Sequence, residues 1–158
     1  MGRMDAVTAE PRSEECLSFL VRHAWLSMRG VVAEALTGHG LSVAQFGSLL
    51  LLREAPGMTV ADVGRKVSST RQSANEMLGG LERAGLIERR PHPRDKRAQQ
   101  VFLTEAGQAR LRAAGPDVEA VEGELEAGFS AAERDVVRRW LVRMTEAGSP
   151  SPEEIPTG

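Results

Sequence analysis

Met58-Thr-Val-Ala-Asp-Val-Gly-Arg-Lys-Val-Ser-Ser-Thr-Arg-Gln-Ser-Ala-Asn-Glu-Met-Leu-Gly-Gly-Leu-Glu-Arg-Ala-Gly-Leu-Ile-Glu-Arg-Arg-Pro-His-Pro-Arg-Asp-Lys-Arg97 is followed, six residues on, by Leu103-Thr104. Thr59-Val-Ala-Asp62 is a helix-capping signature, and the short helix behind it points Val60, Val63 and Val67 inward. Ser68-Ser69 marks a break. A second helix follows, with Ala74, Met77, Leu78, Leu81 and Ala84 as its apolar stripe and Gly85 as a left-handed C′ residue. Leu86 to Arg90 and Gln99 to Leu103 then read as two strands around a loop of prolines, arginines and lysine. This order is a helix-turn-helix followed by a β-hairpin wing.

The outward face of the second helix carries Gln72, Asn75, Glu76, Gly79 and Arg83, with Thr70, Arg71 and Ser73 flanking its first turn. Its N-terminal half is short, polar and rich in hydrogen-bonding tips, which is what reading base edges in a major groove requires. Ser69, Thr70, Arg71, Gln72, Ser73 and Asn75 are therefore the candidate base and phosphate contacts. The bland reading is an amphipathic helix with a solvated face, but such a face favours Glu/Lys pairs and alanine over Gly79-Gly80. Two glycines inside a helix cost about 1 kcal/mol each relative to alanine. The loop Pro91-His92-Pro93-Arg94-Asp95-Lys96-Arg97 holds three cations and one carboxylate at its tip. Arg94, Lys96 and Arg97 suit phosphates and a narrow minor groove, with Asp95 orienting an arginine.

The net charge of −2 does not by itself point to nucleic acid, yet it hides a division. Met58 to Thr104 has nine basic and five acidic residues, a balance of +4; the remainder has eleven and seventeen, a balance of −6. A basic patch on an acidic body can orient a polyanion. Aromatics are only 4% and tyrosine is absent, so stacking platforms for single strands are not expected. No apolar run is long enough for a membrane span, and the acidic N-terminal stretch does not resemble a signal peptide; a cytoplasmic location is the expectation.

Flanking segments complete the plan. Residues 1–12 and 148–158 are expected to be disordered. From Ser13 a long helix repeats Leu17, Leu20, Ala24, Met28, Val31 and Ala35 on one face and stops at Gly38 and Gly40. Its surplus apolar residues call for a second copy or a ligand pocket. Ser42-Val-Ala-Gln45 is a capping box for a helix whose Leu49-Leu-Leu-Leu52 makes it the buried hub. Thr104 caps a helix with Leu111, Val118, Val121 and Leu125 inward, and Pro116 is expected to interrupt and kink it. Ser130-Ala-Ala-Glu133 opens the last helix, with Val136, Val137, Trp140, Leu141 and Met144. The expected fold is mainly α with a small β-hairpin wing. A winged helix-turn-helix spans 41–103, and a helical dimerisation region is formed by 13–40 and 104–147.

The stretch resembles the multiple-antibiotic-resistance regulator (MarR) family of winged helix-turn-helix repressors. The resemblance rests on Leu81-Glu-Arg-Ala-Gly-Leu-Ile-Glu-Arg89, then Asp95-Lys-Arg97, then Leu103-Thr-Glu-Ala-Gly107, and extends over about residues 13 to 147. It implies a homodimeric regulator on double-stranded, pseudo-palindromic DNA, with the first and last two helices interlocked across a two-fold axis. Leu17, Phe19, Leu20, Val137, Trp140 and Leu141 are the candidate interface residues, Trp140 being equally suited to an intrachain core. The resemblance also implies a small-molecule pocket, for which His23, Trp25, Met28 and Arg29 are candidates if they are not packing or dimer residues.

No zinc spacing, Walker loop, nucleophile elbow or dinucleotide fingerprint is present, so neither an enzyme, a metal site nor a cofactor is expected. Two other readings stand beside the regulator. One is oxidant sensing through the lone Cys16, although the sensor position of peroxide-responsive relatives falls nearer Ser18 and their tyrosine partners are missing here. The other is a winged-helix interaction module without DNA binding, for which Glu76 on the reading face is the best argument.

Overall fold

The computed structural model describes residues 12–67 and 70–147. The expectations for residues 1–11, for 148–158 and for the Ser68-Ser69 break lie outside the described residues. In chain order the elements are α1 (Leu17–Leu36), a 3-10 turn (Thr37–His39), α2 (Val43–Glu54), β1 (Met58–Thr59) and α3 (Val60–Val67). There follow α4 (Arg71–Arg83), β2 (Ile87–Pro91), β3 (Gln99–Leu103), α5 (Glu105–Leu125) and α6 (Ala131–Ala147). The chain divides into two compact units, Met1–Val121 and Glu122–Gly158. The mainly helical fold with a small wing is as expected.

In the first unit α2 is the hub. Ser42 accepts the Gln45 amide hydrogen at 3.1 Å while the Gln45 side chain takes the Ser42 amide at 2.9 Å, the full capping box. Behind it Phe46, Leu49 and Leu52 are buried with Val63 of α3, Leu78 and Leu81 of α4 and Val101 of β3. Ser48 is the one buried polar side chain among the described residues, and its hydroxyl donates to the Ala44 carbonyl at 2.8 Å. Gly64 of α3 is buried against Ala74 of α4. A Cβ there would lie 2.9 Å from the alanine Cβ, so the two helices of the motif approach as closely as glycine allows.

Thr59 both caps α3 and pairs in a sheet. Its hydroxyl accepts the Asp62 amide at 3.1 Å, and Met58 and Thr59 form β1 opposite Val101 and Gln100 of β3. The sheet therefore has three antiparallel strands in the order β1-β3-β2, one more than the hairpin alone. Two residues carry too little alternation to announce a strand.

α4 ends in a Schellman arrangement. Gly85 has φ +70°, its N–H donates to Glu82 O, and the Leu86 N–H donates to Leu81 O, both at 2.9 Å. The Leu86 carbonyl then accepts the Thr104 N–H at 3.1 Å, and the Thr104 hydroxyl donates to Gly85 O at 2.6 Å while accepting the Gly107 amide at 3.0 Å. Gly107 is held against this junction so tightly that a Cβ would sit 2.0 Å from Leu86 O.

Several packing expectations need correction. α1 begins at Leu17, not Ser13, and only Val32 and Leu36 on it are buried. Leu17, Leu20, Met28 and Val31 of the anticipated inner stripe are exposed, because α1 meets the core of its own chain only through its last turns. Ala84 is exposed at the C-cap, and Leu125 is 46% exposed; on α5 the expected Leu111 and Val118 are buried, joined by Gly107 and Ala114. The helix runs through Pro116 as one element.

In the second unit Ser130 caps α6. Its hydroxyl accepts the Glu133 amide at 3.3 Å, and the Glu133 carboxylate accepts from the Ser130 amide at 2.8 Å and hydroxyl at 2.7 Å. Those bonds hold the Glu133 carboxyl below its ordinary pKa. Val136, Val137, Trp140, Leu141, Val142 and Met144 all remain exposed on α6. No single helix is long and apolar enough to cross a membrane.

Two outcomes are expected. Gly107→Ala forces a methyl into the Leu86 carbonyl and lowers the urea-unfolding free energy by about 1–3 kcal/mol or more, as overpacking does. Gly115→Ala, with open space around its Cα, raises it by about 0.5–1 kcal/mol. Equal effects of the two would refute the close approach. Separately, the Thr59 hydroxyl lowers the Asp62 pKa, with Arg65 adding to it. A depressed carboxylate stabilises fully above its unfolded pKa, and the gain is lost as pH falls through the lower folded value. The melting-temperature deficit of Asp62→Ala is thus largest near neutral pH and narrows below about pH 4; a deficit independent of pH would contradict the assignment.

Candidate nucleic-acid interface

α4 is positioned by its apolar stripe. Ala74, Leu78 and Leu81 are buried and Met77 half-buried, which turns Arg71, Gln72, Asn75 and Glu76 outward and leaves all four exposed. Thr70 is the N-cap: its oxygen accepts the Ser73 amide at 3.1 Å, and its hydroxyl meets that of Ser73 at 2.7 Å. These two hydroxyls thus build the helix start as well as facing outward. Ser69 lies outside the described residues. Gln72 Nε2 donates to Glu76 Oε1 at 3.2 Å, one turn along the same face.

Gly79 and Gly80 do not serve a close helix crossing within the chain. A Cβ at Gly79 would meet the Arg83 guanidinium at 3.3 Å, and one at Gly80 the Gln45 amide at 3.3 Å and the Arg83 guanidinium at 4.0 Å, all flexible side-chain ends.

The wing tip is a built turn. His92 N donates to Ala98 O at 3.0 Å, closing the loop. The His92 Nδ1 accepts the amides of Arg94 and Asp95 at 3.2 and 3.1 Å. The Asp95 carboxylate accepts the Arg97 amide at 2.9 Å. Asp95 therefore meets Arg97 through its backbone amide and makes no ion pair among the described residues. His92 was not foreseen as part of the site. The available signal was an acceptor flanked by two prolines, placed two and three residues before amides that no strand could satisfy.

The basic residues of the region fall into two sets. Arg89 Nε lies 3.2 Å from Glu82 Oε2, joining the end of α4 to β2. That approach is an ion pair rather than an aligned hydrogen bond, since the buried Nε–H has no acceptor along its direction. Arg90 pairs with Glu88 and stacks over the Phe102 ring at 4.5 Å. Arg65 pairs with Asp62. Lys66, Arg71, Arg83, Arg94, Lys96 and Arg97 make no ion pair among the described residues and are exposed.

Between α3, the start of α4 and the wing runs an open groove of about 780 Å³. Thr59, Arg65, Arg71, Asn75, Asp95 and Arg97 line it, so the structure brings recognition-helix and wing candidates to one concave, cationic surface. The other candidates sit elsewhere. His23, Trp25, Met28 and Arg29 are exposed along α1, with the His23 ring 4.2 Å from that of Phe19, and none lines this groove. Leu17, Phe19 and Leu20 on α1, and Val137, Trp140 and Leu141 on α6, are exposed apolar residues. Trp140, at 37% exposure, is not an intrachain core residue. Cys16 is the N-cap of α1, its sulfur 3.3 Å from the Ser18 hydroxyl, whose hydrogen bond lowers the thiol pKa. No group of three or more His, Cys, Asp or Glu that could hold a metal occurs among the described residues.

Comparison with known proteins agrees with this geometry. Residues 39–98 match the model of the MarR family. The chain is 29% identical over 128 residues to the HTH-type transcriptional repressor Rv2887 of Mycobacterium tuberculosis (strain ATCC 25618 / H37Rv), covering 81% of this chain and 92% of that protein. It is 33% identical over 115 residues to the HTH-type transcriptional regulator YdgJ of Bacillus subtilis (strain 168), covering 73% of this chain and 69% of the relative. A mutant MarR from Escherichia coli, solved in complex with operator DNA, superposes with a TM-score of 0.71 at 26% identity, over 81% of this chain and 92% of that one. With the capped α4, the built wing and these relatives in place, the chain belongs to the MarR family of winged helix-turn-helix transcriptional regulators.

Proposed function

We propose that this protein is a homodimeric repressor that binds a pseudo-palindromic operator and releases it in response to a small-molecule effector. One observation carries the DNA-binding reading. Arg71 and Arg97, exposed and without an ion pair among the described residues, line a groove beside the polar outer face of α4, and Arg94 and Lys96, exposed and likewise without one, flank Asp95 at the wing tip. Unpaired, exposed guanidinium and ammonium groups keep their full attraction for phosphates, and the rest of the chain is acidic enough to orient the approach. α4 enters the major groove with Gln72 and Asn75 at base edges, and the wing tip reaches phosphates and the flanking minor groove.

The dimer reading is supported by the large apolar residues left exposed on α1 and, separately, on α6. Two-fold symmetry pairs two readers with two half-sites. An effector acts by favouring a spacing of the two readers that the operator does not fit. The relatives named repressors support the sign of regulation.

Arg97→Ala weakens binding to the cognate duplex in a fluorescence-anisotropy titration and makes the slope of log affinity against log salt shallower by about 1. Unchanged affinity and slope would remove the wing from the interface. In sedimentation velocity the wild type runs as a dimer, and Val137→Glu with Leu141→Glu shifts it to monomer; a wild-type monomer at micromolar concentration would overturn the symmetric reading.

A further inference from the structure

Glu76 is a carboxylate on the face that meets a polyanion. It makes no ion pair among the described residues, so it does not serve to anchor a neighbouring arginine. Its contact is with Gln72, whose Nε2 lies 3.2 Å from Glu76 Oε1. A glutamine amide has a donor end and an acceptor end of nearly equal shape, and its orientation is usually a matter of choice. Here chemistry decides it. An ionised carboxylate only accepts, so the end of Gln72 that faces Glu76 must be the –NH₂ group, and the carbonyl oxygen must face away.

We propose that Glu76 is a positioning residue for base recognition. It holds the Gln72 amide nitrogen so that the carbonyl oxygen of Gln72 is presented to the major groove. Its own second oxygen adds a further acceptor beside it. The pair forms a patch that selects a base edge with an exocyclic amine, adenine N6 or cytosine N4, over the keto edges of guanine and thymine. A free glutamine could turn either end outward and would discriminate less. The carboxylate also lowers affinity for every duplex alike, by repelling phosphates, so Glu76 exchanges general affinity for base preference.

This inference rests on the reading that α4 enters the major groove. Binding-site selection with purified full-length protein tests both, using the wild type, Glu76→Ala, and the exchange Gln72→Glu/Glu76→Gln. The exchange keeps charge and pairing but reverses donor and acceptor, so an acceptor still faces outward from position 72. The expected wild-type motif fixes adenine or cytosine at one position of each half-site. Glu76→Ala loses that preference by about tenfold at that position alone, while affinity for random-sequence duplex holds or rises. The exchange restores the preference. A Glu76→Ala motif identical to the wild type, or an exchange variant as relaxed as Glu76→Ala, overturns the positioning role and leaves DNA binding standing. A wild type that selects no motif overturns sequence-specific recognition itself, and this inference with it.

Discussion

The carbonyl of Leu86 is the point on which the reader is assembled. It follows the Schellman end of α4, accepts the first amide after β3 at Thr104, and abuts the backbone of Gly107 in the first turn of α5. Four segments are thus tied within a few bonds: the end of the recognition helix, the foot of each wing strand, and the start of α5. Each tie is a backbone hydrogen bond or a contact closer than any side chain permits. Such ties fix direction, whereas apolar burial fixes only proximity. The residues of the Leu81–Arg89 and Leu103–Gly107 runs are therefore less a signature of DNA contact than of this junction. They set the angle from which the contact is made.

A second division of labour runs through the arginines. Arg89 and Arg90 are engaged within the protein, one against Glu82 and the other with Glu88 and the Phe102 ring. Arg89 ties β2 to the end of α4, and Arg90 ties the two wing strands to each other. The tip cations are held by neutral and backbone bonds instead, through His92 and Asp95, so their charge is not consumed in positioning them. A wing built the other way, with salt bridges at its tip, would have to break them to reach phosphate. Paired guanidinium groups at the base and unpaired ones at the tip are what a stiff, charged probe requires.

Much of this was legible in the residues. Capping at Ser42, Thr59, Thr104 and Ser130, the left-handed Gly85, and both wing strands follow from local chemistry, and local chemistry is what a sequence records best. The failures share a cause. β1 is a strand because β3 lies beside it, not because Met58-Thr59 prefers to be one. The α1 stripe repeats at helical spacing, yet periodicity states that a face is apolar and not what covers it. The candidate site's cations and polar tips could be read from the residues, but the local geometry around them could not. Asp95 and His92 shape the loop through main-chain amides, and the sequence does not show which acceptor meets which amide.

The same limit explains why α1 and α6 matter beyond their own packing. Within the single chain α1 contributes Val32 and Leu36 to the core, while Leu17, Phe19, Leu20, Trp25, Leu26, Met28 and Val31 stay wet. A half-exposed large apolar side chain forgoes on the order of 1 kcal/mol of burial. Summed along α1 and α6, that loss is comparable with the whole stability of a small domain. In the proposed dimer a second copy would recover it, and symmetrically, because each copy brings the same faces. The reader itself needs no such help: its core from Leu36 to Val118 is closed by one chain. On the proposed dimer, stability of the reader and spacing of two readers would be set by different surfaces. An effector of the proposed kind would then change the second without unfolding the first, which is the condition for a switch that alters DNA affinity and leaves each winged helix intact.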